Sequence, residues 1–402
     1  MKFESEVVHA GDRKHQNCSA VPSTTPIHLS TTYFYESAAK LDRIFGQEEA
    51  GFSYSRYGNP TNQALEELMT ALERSKGALA TASGMSALQI AIQAALLDRR
   101  HGVVAASSLY GTSLKLLDQV FEPFDVAVKY VDFCDLPALE KAIADVQPGC
   151  VFMESISNPL LRVGKVGQIA KMAHAAGAAL VVDNTFATPM LLRPLELGAN
   201  IVVHSATKYL AGHGDVLGGI IVSDEEHLEP VRMLGRLIGS VLGPFESYLT
   251  MRGVKTLALR FERQCHNARK LAEWLASHPC VEQVYYCADP KHPDAEAIQH
   301  LFAPELFGAI LSFEIKDADK TAVMEFMDGL KMIVPGTSLG DVHTLLLYPA
   351  MSSHRELSPK MRERMGIRDN LVRVAAGIEA VEDIMADLDQ ALRGRCVSAT
   401  SQ

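Results

Sequence analysis

The sequence lacks several features that would place it in a specialised class of protein. No apolar run approaches the roughly 20 residues that a membrane-spanning helix needs. Residues 1–6 contain no apolar signal core, so we expect a cytoplasmic protein that does not associate with membranes. The cysteines form no CxxC pair, which predicts neither a disulfide framework nor a zinc site, and no metal is expected.

Charge of one sign is not concentrated anywhere along the chain. The net charge is −10 and no block of like charges stands out, so nucleic acid is not expected as a partner. What remains is an ordinary globular balance, with 48% apolar and 21% charged residues. The 402 residues are enough for two or three domains with a large core.

Three segments differ in their pattern of residues. Residues 1–60 are rich in Ser, Thr, Pro and Gly with little periodicity, which indicates an arm that wraps around a neighbour or a loose tail. Residues 61–255 alternate short apolar runs with amphipathic stretches, which predicts βα units and a mostly parallel sheet covered on both faces. Residues 256–402 predict a smaller α+β domain. One long helix, either straight or kinked near Gly253, is expected from Pro244 to about His278.

Lys208 comes after the apolar, strand-like run Ile201–His204, close to Ser205 and Thr207. An amine at a strand end, beside small hydroxyls that can bind an anion, suits a lysine that forms a Schiff base with a phosphorylated aldehyde. A lysine in this position is more often a solvated surface residue. The functional interpretation therefore depends on the residues at the ends of the other strands.

Three other predicted strands end in residues that suit the same ligand. Small residues at Ala82–Ser86 open a helix whose N–H groups can bind a phosphate. Tyr110 can stack on a planar ring. Asp183 directly follows a buried strand, where a carboxylate is costly unless it is paired, and a pyridinium N–H would be a fitting partner. The plain alternatives are an ordinary turn, a packing tyrosine and a helix-capping aspartate, but together these residues supply a complete site at one sheet edge.

Motifs spread over nearly the whole chain resemble those of one known family. They are Tyr54-Ser55-Arg56-Tyr57-Gly58-Asn59-Pro60-Thr61, Ala82-Ser83-Gly84-Met85, Asp183-Asn184-Thr185, Ser205-Ala206-Thr207-Lys208-Tyr209 with Gly212-His213, Ser338-Leu339-Gly340, and Arg373 with Gly377-Ile378-Glu379. With them the sequence resembles the pyridoxal-phosphate-dependent Cys/Met metabolism enzymes. This family includes cystathionine γ-synthase, cystathionine lyases, methionine γ-lyase and O-acylhomoserine sulfhydrylase. The resemblance implies an α/β protein of PLP fold type I, with a mostly parallel seven-stranded sheet and a smaller C-terminal α+β domain.

The resemblance also implies a role for each residue toward pyridoxal 5′-phosphate (PLP). Lys208 would be the Schiff-base lysine and general base, while Tyr110 would stack on the ring and protonate the leaving thiol. Asp183 would hold the pyridine nitrogen, with Glu154 near the ring. The implied phosphate-binding residues of the same chain are Gly84, Met85, Ser205 and Thr207.

Substrate binding and assembly are implied in the same way. Arg373, Ser338 and Asn158 would hold the α-carboxylate of a small amino-acid substrate. Tyr54 and Arg56 would reach the phosphate of the cofactor in a neighbouring subunit. The resemblance therefore implies a homodimer with shared active sites, and such dimers usually pair into tetramers in this family.

Subfamily is less clearly marked than family. The segment Val202–Asp215, and Asp341 after the Ser-Leu-Gly motif, are most similar to methionine γ-lyase. Thr112 stands where those enzymes usually have cysteine, Arg236 lies near the position of their Lys-Asp pair, and His343 replaces the glutamate usual in cystathionine enzymes. We predict γ-elimination of a sulfur amino acid, of the methionine γ-lyase or cystathionine γ-lyase type. The alternative is γ-replacement by a thiol on O-acetyl- or O-succinylhomoserine.

Two other classes of protein are also considered. Ser205 and Lys208 match the S-x-x-K motif of serine acyl-hydrolases, but the SDN and KTG elements of those enzymes do not occur in the sequence. A non-catalytic α/β binding protein of the same fold would not take up PLP, and that property separates it from an enzyme of this family.

Overall fold

The computed structural model describes residues 1–11, 21–97, 100–352, 354–355, 362 and 365–399. Its largest sheet has seven strands: β1 Gly77–Thr81, β2 Gly102–Ala106, β3 Ala127–Val131, β4 Cys150–Glu154, β5 Ala179–Asp183, β6 Ile201–Ser205 and β7 Gly219–Ser223. Their order is β1-β7-β6-β5-β4-β2-β3, and only β7 runs antiparallel to its neighbours. The prediction of a mostly parallel seven-stranded sheet is therefore confirmed.

The central strands of this sheet are apolar and buried along consecutive positions rather than at alternate ones, whereas the edge strand β3 is largely exposed. All five residues of β2 are buried, as are the first four of β4, β5 and β6. Such continuous burial requires cover on both faces. The helices that pack against the sheet are α3 Pro60–Leu72, α4 Gly84–Leu96, α6 Leu136–Val146, α7 Val166–Ala175 and α9 Glu225–Ile238. Two shorter helices, α5 Gly111–Leu116 and α8 Thr188–Leu191, follow β2 and β5 along the chain.

A second sheet of five strands lies toward the C-terminus. Its strands are β8 Val281–Tyr285, β9 Ile310–Ile315, β10 Val334–Pro335, β11 Leu345–Leu347 and β12 Leu371–Ala375, in the order β10-β11-β12-β9-β8. It has its own apolar core against the helices α11 Leu257–Leu275, α13 Lys320–Asp328 and the C-terminal helix Val381–Ala399, while α12 Ala295–Leu301 lies between β8 and β9 along the chain. The predicted smaller α+β domain is present, although the exact domain boundaries stay predictions.

The prediction of one long helix from Pro244 to about His278 is wrong, because the chain forms α10 Pro244–Val254 and then α11. The break lies next to Gly253, the position at which a kink is expected. Gly253 lies so close to Ala211 that a Cβ atom there would be 2.0 Å from the Ala211 carbonyl oxygen. The Gly253 carbonyl accepts a 2.8 Å hydrogen bond from Arg260 Nη2. This contact with a side chain seven residues further on accompanies the end of α10.

Two further differences concern the N-terminal segment and the cysteines. Within residues 1–11 and 21–60, which the structure describes, there are two short helices, α1 Phe3–His9 and α2 Ala38–Phe45, where the sequence shows little periodicity. Cys280 is disulfide-bonded, although the cysteine spacing predicted no disulfide framework. Four further cysteines, Cys134, Cys150, Cys265 and Cys287, are not disulfide-bonded. None of the helices in the described part of the chain has the length and apolar character needed to cross a bilayer.

Candidate active site

A cavity lies at the carboxyl edge of the seven-stranded sheet and collects most of the predicted site residues. The last residues of β4, β5 and β6, which are Glu154, Asp183 and Ser205, lie on its wall. Its remaining predicted residues are Gly84, Met85, Tyr110, Asn158, Thr207, Lys208 and Arg373. This is the edge at which ligands bind in parallel α/β sheets.

Lys208 is partly buried in this cavity, on the turn after β6. Its Nζ donates a 2.9 Å hydrogen bond to Ser338 Oγ. Burial, and then the positive charge of Arg373, lower the pKa of Lys208 to about 8. A buried amine of this kind is partly neutral near neutral pH and can act as a nucleophile or base.

Asp183 is fixed at the end of β5 by its neighbour Thr185. Asp183 Oδ1 accepts hydrogen bonds from the Thr185 backbone N–H at 2.9 Å and from its hydroxyl at 2.5 Å. Thr185 Oγ1 in turn accepts from the Ser205 backbone N–H at 2.8 Å, which links β5 to β6. Burial raises the pKa of Asp183, although the hydrogen bonds from Thr185 oppose this rise. A cationic N–H partner in the cavity would therefore stabilise the ionised carboxylate.

The N-terminus of α4 forms the part of the cavity that suits a phosphate. Ser83 caps this helix through a capping box with Ser86, and the first N–H groups of a helix have no intrahelical partner. A Cβ atom on Gly84 would lie 2.8 Å from the Ser205 Cβ, so only glycine lets the helix approach β6 this closely. The hydroxyl of Thr207 is bonded to the backbone of Gly218, whose N–H donates to it at 3.0 Å.

Arg373 comes from β12 of the second sheet and reaches the same cavity. Its Nη1 donates to Asn158 Oδ1 at 2.9 Å, and its Nη2 donates to the Ser338 carbonyl oxygen at 3.1 Å. Its Nε is buried and has no hydrogen-bond partner among the described residues. Burial lowers the pKa of Arg373 to about 10. A buried guanidinium with an unused donor is well suited to bind a carboxylate.

Tyr110 and Glu154 are joined across the mouth of the cavity. The Tyr110 backbone N–H donates a 2.7 Å hydrogen bond to Glu154 Oε1. The Tyr110 side chain is 41% exposed, so its ring is available to stack on a bound group.

Tyr54 and Arg56 do not line the cavity that contains Lys208. Arg56 donates a 2.8 Å hydrogen bond to the Arg236 carbonyl oxygen and lies 4.8 Å from the centre of the Tyr57 ring. Tyr54 is 40% exposed. Their predicted role is in a neighbouring subunit, and that role stays a prediction.

Three residues leave the identity of the substrate undecided, and all three lie at exposed or partly exposed positions. Thr112 lies in α5 and is exposed. His343 is exposed and lies 3.3 Å from Asp341, while Arg236 Nη1 donates to Glu229 at 3.3 Å.

The residues of the cavity fit PLP by their chemistry. The buried carboxylate of Asp183 suits a pyridinium N–H, the helix end at Gly84 suits a phosphate, and the Lys208 amine suits an aldehyde. The unused Arg373 Nε suits the carboxylate of an amino acid.

The structure also brings residues to the cavity to which the sequence assigned no role. Thr185 orients Asp183, and its position two residues after an aspartate at a strand end is a signal that the sequence contained. Phe186 lies with its ring centre 5.9 Å from the Arg373 guanidinium. Thr337 and Leu339, which flank Ser338, also line the cavity, and no periodicity could have indicated them.

Comparisons with known proteins agree with this chemistry. The chain is 40% identical over 391 residues to an L-methionine gamma-lyase of Fusobacterium nucleatum subsp. polymorphum, covering 96% of each protein. It is 38% identical to an O-succinylhomoserine sulfhydrylase of Pseudomonas aeruginosa, covering 97% of this chain and 95% of the relative. A solved cystathionine gamma-lyase of Lactobacillus plantarum, in complex with L-serine, superimposes with a TM-score of 0.89 at 34% identity, over 98% of this chain and 99% of the other.

The family comparison covers almost the entire sequence. Residues 4–393 match the model of the Cys/Met metabolism PLP-dependent enzymes. The match and the full-length relatives include every residue that forms the cavity. The chain therefore belongs to the Cys/Met metabolism family of PLP-dependent enzymes, and it is an enzyme whose cofactor is PLP.

Proposed function

We propose that this enzyme catalyses γ-elimination of a sulfur-containing amino acid, a reaction that consumes water and gives a thiol, an α-keto acid and ammonia. The observation that carries the proposal is the placement of Lys208 and Arg373 around Ser338. The lysine amine bonds to the serine hydroxyl at 2.9 Å and the guanidinium bonds to its carbonyl at 3.1 Å. A carboxylate held by Arg373 therefore places the adjacent α-carbon near a base.

Each protein group has a distinct part in this proposal. When bound, PLP supplies an electron sink for negative charge at the substrate α-carbon. Arg373 and Asn158 hold the carboxylate, and Lys208 removes the proton from the α-carbon. Tyr110 gives a proton to the departing thiol. The carboxylate of Asp183 places a negative charge at the edge of the sheet where the pyridine nitrogen of PLP would lie.

Similarity to the L-methionine gamma-lyase, at 40% identity, supports elimination over replacement. The second candidate is γ-replacement by a thiol on an O-acylhomoserine. It is supported by the 38% identity to the O-succinylhomoserine sulfhydrylase and by His343, whose side chain is exposed beside Asp341. A basic side chain there suits an acyl carboxylate better than it suits the ammonium group of cystathionine.

The two candidates are separated by incubating the holoenzyme with one substrate at a time. We expect L-methionine, L-cystathionine or L-homocysteine to give a keto acid without any added thiol. O-acetyl- and O-succinylhomoserine are then tested with and without sulfide or cysteine. Amino-acid product that forms only when a thiol is added, with no keto acid from the thioethers, would establish the second candidate instead.

We also propose that the enzyme is a homo-oligomer in which Tyr54 and Arg56 complete the cofactor site of a neighbouring subunit. The exposed apolar side chains of the N-terminal segment support this assembly, since Phe34 is 93% and Phe45 is 61% exposed. Residues 1–60 would then be the arm that contacts the partner. A cytoplasmic location stays a prediction from the sequence.

A further inference from the structure

Glu154 ends β4 at the wall of the cavity, and the proposed reaction leaves its carboxyl group without a function. In the sheet, Glu154 pairs in register with Asp183 on the neighbouring strand β5. Both side chains line the same cavity. Two carboxyl groups placed together in a buried site do not both ionise readily, so one of them is expected to keep its proton.

The contacts of the two groups show which one is neutral. Asp183 receives two hydrogen bonds from Thr185, which favour its ionised form. Glu154 Oε1 accepts a hydrogen bond from the Tyr110 N–H, and the Asn158 N–H also lies near the carboxyl group. Its Oε2 is buried with no hydrogen-bond partner among the described residues. An oxygen left without a donor is better accommodated as the hydroxyl of a neutral acid than as half of a carboxylate.

The electrostatic surroundings agree with the contacts. Burial, and then the negative charge of Asp183, raise the pKa of Glu154 to about 8, although the N–H groups of Tyr110 and Asn158 oppose this rise. Glu154 is therefore mainly neutral at pH 7. The other titratable or charged groups that line the cavity are Lys208, Arg373 and Tyr110.

We propose that Glu154 is a positioning residue that stays protonated while Asp183 is ionised. One oxygen of the neutral acid holds the Tyr110 backbone, and through it the ring that stacks on the cofactor. The hydroxyl on the other oxygen is a hydrogen-bond donor for an oxygen atom of the bound cofactor or substrate. The sheet edge then carries one negative charge, at Asp183, where it serves the pyridine nitrogen. This inference rests on the PLP site assigned above.

Replacing Glu154 by glutamine tests the proposal, because glutamine is neutral and keeps one acceptor and one donor in nearly the same shape. We expect apo-protein carrying Glu154→Gln to bind PLP within about threefold of wild type at pH 7. Glu154→Ala removes both hydrogen bonds and should weaken PLP binding about tenfold or more. If Glu154 works as a carboxylate, the glutamine variant will instead lose as much affinity as the alanine variant.

The pH dependence of PLP binding gives a second readout. Lys208 also has a pKa of about 8, but it is present in both proteins, so the difference between wild type and Glu154→Gln isolates Glu154. As the pH rises through about 8, wild type gains a second negative charge beside Asp183 and the variant does not. We expect the ratio of the two dissociation constants to change over that interval. A ratio independent of pH would contradict the proposal.

Protonation is observed directly by infrared difference spectroscopy of the apo-proteins. Burial raises the pKa of Glu66 to about 7, so Glu66 contributes a carbonyl band to both proteins at pH 6.5. That contribution cancels when the Glu154→Gln spectrum is subtracted from wild type, and the band of one protonated carboxylic acid should remain. Its absence from the difference spectrum would overturn the proposal. This measurement does not use PLP, so it determines the protonation state of Glu154 whether or not the protein binds PLP. Failure of wild type to bind PLP would count against the proposed function alone.

Discussion

At the scale of single residues, the reactivity of the Lys208 amine depends on the groups that surround it. A solvated lysine has a pKa near 10.4, so roughly one amine in a thousand or fewer is neutral at pH 7. Burial and the charge of Arg373 lower the pKa of Lys208 to about 8, which leaves roughly a tenth of the amines neutral. The position of the lysine could be predicted from the sequence, but its pKa could not. Arg373, the second cause of the shift, is 165 residues away and belongs to the other sheet.

The lowered pKa predicts how the apo-protein captures PLP. Only the neutral amine attacks an aldehyde, so the capture rate should rise as the pH increases from 6 to 8 and level off above the pKa of about 8. Stopped-flow absorbance measures this rate, with a blocked free lysine as the reference compound. Lys208→Ala should show no capture and unchanged circular dichroism. A rate that still climbs steeply above pH 9 would show that the amine is not shifted.

Arg373 carries a prediction about substrate binding. Arg373→Lys keeps a positive charge but loses the planar guanidinium group. That group donates from Nη1 to Asn158 Oδ1 at 2.9 Å and from Nη2 to the Ser338 carbonyl oxygen at 3.1 Å. Breaking one partner of a buried, hydrogen-bonded charge pair costs about 2–5 kcal/mol, which corresponds to a loss in kcat/KM of about 30-fold or more. Steady-state kinetics should show most of this loss in KM. An unchanged KM with a reduced kcat would mean that Arg373 does not hold the carboxylate.

At the scale of elements, the strands that form the site could be predicted and the way they meet the helices could not. The strands β2, β4, β5 and β6 correspond to short apolar runs, and the functional residues lie where those runs end. At Gly253 the sequence could indicate a kink but not the end of α10, because that end depends on the contacts of Gly253 with Ala211 and Arg260, which are outside that helix. Strand β10 has only two residues, which is too short to show a period.

The junction between α4 and β6 carries a prediction about cofactor binding. Gly84→Ala places a Cβ 2.8 Å from the Ser205 Cβ, so the helix start must shift, and the N–H groups that we expect to bind the phosphate move with it. Overpacking of this kind costs about 1–3 kcal/mol, so PLP affinity should fall about tenfold. The control is Gly167→Ala in α7, where the new Cβ meets only the Leu197 carbonyl oxygen at 3.6 Å. Equal PLP affinity in the two variants would show that Gly84 has no such role.

At the scale of the whole molecule, the active site requires both sheets. Asp183 and Lys208 belong to the seven-stranded sheet and the turn after it, whereas Arg373 lies on β12 of the smaller one. Ser338 joins the two parts, because it bonds Lys208 through its side chain and Arg373 through its backbone. The sequence predicted two domains but could not predict this contact, which depends on how the domains pack.

The proposed sharing of sites between subunits gives the last prediction. Arg56 lies outside the cavity of its own chain, so a dimer of one Lys208→Ala subunit and one Arg56→Ala subunit should contain one intact site and one doubly defective site. Random pairing makes half of all dimers mixed, so co-expression of the two variants should restore about a quarter of wild-type activity. Each variant alone should be inactive or nearly so.

The matched control replaces Arg56→Ala by Arg373→Ala, because Arg373 lines the cavity of its own chain. A mixed dimer of Lys208→Ala and Arg373→Ala subunits has a defect in both sites, so no activity should return. Differently tagged subunits allow the mixed species to be purified and their cofactor content to be compared. Rescue in the first pair alone would establish that Arg56 acts across the subunit boundary, whereas failure in both pairs would place its role within its own chain.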